Sequence, residues 1–103
     1  MRKAAVYMHG VFAGFLEELE FQKYYQFSYL PSYTGVPVSL TLPLRTEPYA
    51  FESFPPFFEG LLPEGVQLEG LLRLTKLDRS DCFGQLIHVG SDLVGAVTVE
   101  KVS

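Results

Sequence analysis

Phe57-Phe58-Glu59-Gly60-Leu61-Leu62-Pro63-Glu64-Gly65 separates two parts of this chain that follow different periodicities. Upstream of it, apolar residues recur at every second position, the spacing of a strand with one buried face. Downstream they recur at three and four residues, the spacing of an amphipathic helix. Strands first, then helices, with a last strand at the end, predict an α+β domain. Its expected form is a twisted, mainly antiparallel sheet of about five strands with two short helices packed on it.

The upstream pattern is specific enough to assign elements. Residues 3–8 and 11–16 read as two strands joined at His9-Gly10, because a two-residue turn needs positive φ, which Gly supplies freely and His tolerates. Glu17, Glu18 and Glu20 then read as an exposed connection. From Phe21 the chain alternates: Phe21, Lys23, Tyr25, Phe27 and Tyr29 share one face, and Gln22, Tyr24, Gln26 and Ser28 the other. Pro31-Ser32-Tyr33-Thr34-Gly35 is loop chemistry. Val36, Val38, Leu40 and Leu42 alternate with Pro37, Ser39 and Thr41, predicting a fourth strand that Pro43 ends. Pro37 lacks an N–H and sets this strand at a sheet edge. Residues 45–56, interrupted by Pro48, Pro55 and Pro56, read as irregular.

Downstream, Leu68, Leu71, Leu72 and Thr75 place a helix over Val66 to Leu77. Ser80 is positioned to cap a second short helix, Asp81 to Val89, that buries Phe83, Leu86 and Ile87. Gly90 suits its end, and residues 95–99 return to strand. No repeat, low-complexity segment or linker divides the sequence, so residues 1–103 read as one domain.

Composition narrows the function classes. With 48% apolar and 19% charged residues, the chain has enough hydrophobic content for a folded core. Nine Phe and six Tyr put much of that core in aromatic rings. A net charge of −4 argues against direct nucleic-acid binding, which needs a basic surface. The grouping Arg73, Lys76 and Arg79 reads as a solvated helix end. The single thiol, Cys82, excludes an internal disulfide and fits the reducing cytoplasm. The apolar run near Met1 is too short for a signal peptide, and nothing approaches the roughly 20 apolar residues of a membrane span.

Catalytic chemistry is scarce. His9 and His88 are the only imidazoles, and no metal-binding spacing joins them to Cys82. Cys82 and His88 stand six apart on the predicted helix, on largely opposite faces, so they do not form a nucleophile–base pair. Glu59 and Glu64 flank the Leu61-Leu62-Pro63 bend and could face one cleft. Paired-carboxylate catalysis would need one of them in an apolar pocket; they read as solvated loop carboxylates. Gly10, Gly14 and Gly35 match no phosphate-binding loop, and no kinase catalytic motif is present. The chain therefore reads as a non-enzyme without a cofactor, acting through its surface. Residues 54–66 are rich in Phe and Leu for a segment so rich in Pro and Gly. About half of these side chains tuck under the sheet as a base, and Pro63-Glu64-Gly65-Val66 projects as a stiff tip.

Several motifs, in this order, resemble the N-terminal subdomain of HipA-type serine/threonine kinases. They are Val6 to Gly14, Phe27-Ser28-Tyr29, Val38-Ser39-Leu40-Thr41-Leu42-Pro43-Leu44, Phe57 to Gly65, Asp81-Cys82-Phe83 and Gly90-Ser91-Asp92-Leu93-Val94-Gly95-Ala96-Val97. Leu-Leu-Pro-Glu-Gly is the most specific of them. Thr41 departs from the Ser usual before Leu-Pro-Leu, a change a strand accommodates. The chain ends where that subdomain would end, and is similar to the small protein of a three-component HipBST-type toxin–antitoxin system. The resemblance implies a cytoplasmic antitoxin that binds and neutralises a HipA/HipT-like Ser/Thr kinase toxin in trans, docking near its active site. It implies a partner-binding set of Phe58, Glu59, Leu62, Pro63, Glu64, Gly65, Val66 and Gln67. A HipB-like helix-turn-helix protein would supply the DNA contact in a ternary complex. The alternatives are a structural subunit that completes the kinase and links it to the DNA-binding partner, a small-molecule role on Glu59 and Glu64, and a piece of a longer kinase. Natural start and stop codons around Met1 and Ser103, beside a kinase reading frame, would exclude the last.

Overall fold

His9 (φ 50°) and Gly10 (φ 80°) turn the first hairpin through the positive-φ geometry expected of them. They join β1 (Arg2–Met8) to β2 (Val11–Glu20) in the computed structural model, which describes residues 2–93 and 95–102. Met1, Ser103 and Val94 of the closing motif lie outside the described residues. β3 (Tyr24–Tyr29) pairs with β2, β4 (Tyr49–Phe51) with β3, and β5 (Val97–Val102) with β1. The result is an antiparallel sheet in the order β4-β3-β2-β1-β5. Among the described residues three α-helices follow β4, α1 (Pro56–Glu59), α2 (Gly65–Thr75) and α3 (Cys82–Val89), and a short 3-10 turn at Gly90–Asp92 extends the last. The predicted α+β class, with a mainly antiparallel five-stranded sheet and short helices, is what the chain adopts.

The period of two decides which face is covered. Ala4, Val6, Leu16, Phe27, Val97 and Val99 belong to one buried cluster with Phe58 of α1 and Phe83 and Leu86 of α3. Aromatic pairs stitch helices to sheet: Phe27 meets Phe58 at 5.6 Å between centroids, and Tyr25 stacks on Phe83 at 6.4 Å. On the opposite face Tyr7, Phe12 and Phe15 form a run of ring contacts, and Lys3 Nζ stands 4.0 Å over the Phe15 ring. Gly14 is compelled by its neighbour, since a Cβ there would lie 2.2 Å from the Ser28 carbonyl oxygen on β3.

Four local expectations need correction. Residues 36–42 form a loop, not a strand; their only pairing among the described residues is an isolated bridge between Ser39 and Leu42. The Tyr29 hydroxyl takes over the role of a ladder, accepting from Val38 N at 3.0 Å and donating to Leu42 O. The fourth strand is instead β4, inside the stretch read as irregular. Phe21 lies in the β2–β3 turn and is 67% exposed, with Gln22 at φ 56°. Asp81, not Ser80, caps α3, its carboxylate accepting from Gly84 N at 3.0 Å.

The acidic cluster also divides. Glu17 and Glu20 are not buried, whereas Glu18 ends up 2% exposed on the core face. Arg2 makes that burial possible by pairing with Glu18 at 2.8 Å and with Asp81 at 2.7 Å. Its guanidinium also lies 5.2 Å from the ring centres of Phe21 and Phe83.

Candidate functional site

Two prolines start the segment that leads to the tip. Pro55 precedes α1 and Pro56 occupies its first turn, where a missing N–H costs nothing. One turn later Leu61 N donates to Phe58 O and Leu62 N to Glu59 O, at 3.1 Å each, so the backbone stays coiled beyond the helix. Glu64 then extends (φ −131°), and Gly65 enters α2 with φ 59°, a left-handed conformation that favours glycine at this junction. The Leu-Leu-Pro-Glu-Gly sequence thus encodes the turn that joins α1 to α2.

The predicted set divides by burial. Phe58 has no exposed surface; it packs on Phe27 and lies 5.1 Å from the Phe57 ring. It is withdrawn from any partner and forms the base under the segment, because a ring of that size gains more from the core than from the rim. Leu62 and Pro63 are half-buried, while Glu59, Glu64, Gly65, Val66 and Gln67 are exposed. Val66 stands out, an apolar side chain 88% in solvent.

Glu59, Leu62, Pro63 and Glu64 share a cleft of about 400 Å³ with Pro56, Leu68, Arg79, Cys82 and Gln85. Glu59 and Glu64 therefore do face one cleft. Both are exposed, however, and neither sits in the apolar enclosure that acid catalysis by a carboxyl requires. The Cys82 thiol on the cleft wall is pushed above its usual range by burial, with Glu59 and Asp81 adding in the same direction, which leaves it a poor nucleophile at neutral pH. Gln85, buried on the floor, donates to the Asp78 and Arg79 carbonyls at 3.2 and 3.0 Å and pins the α2–α3 connection. Arg79 is also ion-paired with Glu69 of α2. The arrangement is a contact surface: a rigid base, an exposed tip and a shallow wall with mixed charge.

Sequence reading missed one feature beside this tip. α2 has no fully buried residue, and Leu74 near its end is 87% exposed. The helical pattern of Leu68, Leu71 and Leu72 marks the inner face of α2 and carries no signal for the outer one. No helix among the described residues is long and apolar enough to cross a membrane.

Residues 4–100 match the profile of the HipA N-terminal domain family. An uncharacterised protein of Haemophilus influenzae is 33% identical over 101 residues, covering 98% of this chain and 93% of that protein. The Sinorhizobium fredii protein named "Putative kinase Y4mE" is 33% identical over 73 residues, which is 71% of this chain but 17% of that protein. A solved structure titled "N-terminal domain of HipA toxin" superposes with a TM-score of 0.78 at 30% identity, covering 100% of this chain and 94% of that one.

Proposed function

Because the chain belongs to the HipA N-terminal domain family, a component of HipA-related toxin–antitoxin systems, we propose that it is a HipS-like antitoxin. It binds a HipA/HipT-like Ser/Thr kinase toxin in trans and neutralises it by docking near the active site. It acts as one domain, residues 1–103, in the cytoplasm, through contact and without bond-making. The matched family is the HipA N-terminal domain, and the sequence carries no kinase catalytic motif.

The observation that carries this reading is the pairing of a buried base with an exposed tip. Phe58 is locked between sheet and helices, and seven residues later Gly65 turns Val66 outward into solvent. A tip held this way has little ordering entropy left to lose when a partner closes on it. Two comparisons support the partner. In the Sinorhizobium fredii protein the matched region is a small part of a much longer chain named as a kinase. The match to the Haemophilus influenzae relative spans 93% of that protein, so there the domain makes up nearly the whole chain. In this reading Glu59, Leu62, Pro63, Glu64, Gly65, Val66 and Gln67 form the contact set. A HipB-like helix-turn-helix protein joins as the third component and carries the DNA contacts, in keeping with the −4 charge of this chain.

Co-expression tests it. The parent chain restores growth to cells expressing the kinase, and the variant Glu64→Ala/Val66→Ala/Gln67→Ala does not, although it is produced at the same level. Full rescue by that variant removes the tip from the mechanism. Binding without any change in kinase activity would instead favour the structural-subunit reading.

A further inference from the structure

α2 carries a glycine that the rest of the described chain does not require. Gly70 sits mid-helix between Gly65 and Thr75, its φ is not positive, and a Cβ built on it would meet no heavy atom within 4 Å. A glycine in that setting weakens a helix relative to alanine, and nothing nearby offsets the loss. Its neighbours on the helical wheel are as unusual. Val66, Gly70 and Leu74 fall within an arc of about 80° at 100° per residue, and Val66 and Leu74 are among the most exposed apolar side chains of the protein. Leu68, Leu71, Leu72 and Thr75 point the other way and are half-buried. Gln67, Glu69 and Arg73 flank the outer face with polar groups. Two apolar side chains on either side of a notch, inside a polar border, have the anatomy of an interface centre.

We propose that the Val66–Gly70–Leu74 face of α2 is a second element of the kinase-docking surface, taking an apolar segment of the kinase that comes close to the helix backbone at Gly70. This rests on the kinase-docking reading above. The occupant follows from continuity, since Val66 belongs both to the tip and to this face, and a body that engages one is brought onto the other. It follows also from cover: α2 buries none of its residues fully in its own domain, while in the Sinorhizobium fredii relative the matched region belongs to a far longer chain. A second copy is the weaker occupant, because each brings a net charge of −4.

Gly70→Ala separates the two roles a glycine can have. In the full-length chain it raises the thermal midpoint by about 4 °C through helix propensity, and it weakens binding to the purified HipT-like kinase of the same host at least tenfold. Leu74→Gln leaves the midpoint within about 2 °C, as surface changes do, and weakens binding at least fivefold. If the parent binds and both variants bind within twofold of it, the α2 face is rejected and the tip reading stands. If Gly70→Ala lowers the midpoint, the glycine serves the chain's own fold and the premise fails. A dimer in sedimentation that Gly70→Leu dissolves, with kinase binding untouched, assigns the face to a second copy and overturns the proposal. If the parent itself does not bind the kinase, the underlying reading falls and takes this one with it.

Discussion

Arg2 grips Glu18 through two parallel bonds, Nε to Oε1 and Nη2 to Oε2, each 2.8 Å long, between residues directly paired across β1 and β2. The same guanidinium reaches Asp81 at the start of α3 with bonds of 3.1 and 2.7 Å. Glu18 in turn accepts from Gln22 N at 3.0 Å and shapes the β2–β3 turn. One side chain thus fastens two strands, a turn and a helix. Removing it leaves a buried carboxylate without a counter-charge. Arg2→Met is expected to cost about 3 kcal/mol, lowering the thermal midpoint by more than about 10 °C. Combining it with Glu18→Leu should recover much of the loss, because an apolar pair needs no counter-charge. A midpoint unchanged in the single variant would show that the cluster is energetically idle.

Asp81 gives the fold an acid limb. Burial alone would raise its pKa, but the Arg2 guanidinium and the Gly84 N–H outweigh that and hold it below the ordinary carboxylate value. A carboxyl depressed in the folded state contributes stability above its unfolded value near 3.9, and the contribution is lost as pH falls through the lower folded one. The parent should therefore lose stability steeply below about pH 4. Asp81→Asn should be weaker at pH 7, with the gap closing below pH 4. Denaturant midpoints from pH 2 to 7 measure this, and a gap that widens in acid contradicts it.

Tyr29 replaces a strand. Its buried hydroxyl bonds both Val38 N and Leu42 O, so Tyr29→Phe strands a donor and an acceptor at once. A cost of about 2 kcal/mol is expected, with faster amide exchange at Val38 and Leu42 and little change in β2 or β3. Uniform loss of protection across the sheet would mean the loop is not pinned locally.

Phe58 and Val66, so close in sequence, should fail in different assays. Phe58→Ala empties a fully buried site and costs about 3–5 kcal/mol. Val66→Ala alters an exposed side chain and stays within about 0.5 kcal/mol, while weakening kinase binding. Equal loss of stability in both would mean the tip is part of the core.

The fold was legible where local rules govern. The His9-Gly10 turn, the alternation of Tyr25, Phe27 and Tyr29, and the inward leucines of α2 needed only turn chemistry and periodicity. Val36 to Leu42 misled because the alternation was genuine but served a loop: Val38 and Leu42 turn inward onto the Tyr29 hydroxyl, while Val36 and Leu40 face solvent. β4 was hidden because three residues among prolines are too few to show a period. Glu18 looked like surface since its partner Arg2 lies sixteen positions away, a distance no local window spans. At the candidate site the Leu-Leu-Pro-Glu-Gly bend announced itself through Pro and Gly. The burial of Phe58 and the bare outer face of α2 depend on which side the sheet lies, and that is a tertiary fact.

Autophosphorylation of the purified HipT-like kinase, followed while this chain is titrated in, bears most directly on the antitoxin role. Inhibition that saturates near one chain per kinase, and is lost with Glu64→Ala/Val66→Ala/Gln67→Ala, is the predicted result. Unchanged phosphorylation at a saturating excess of the chain, with the two proteins demonstrably bound, would contradict it.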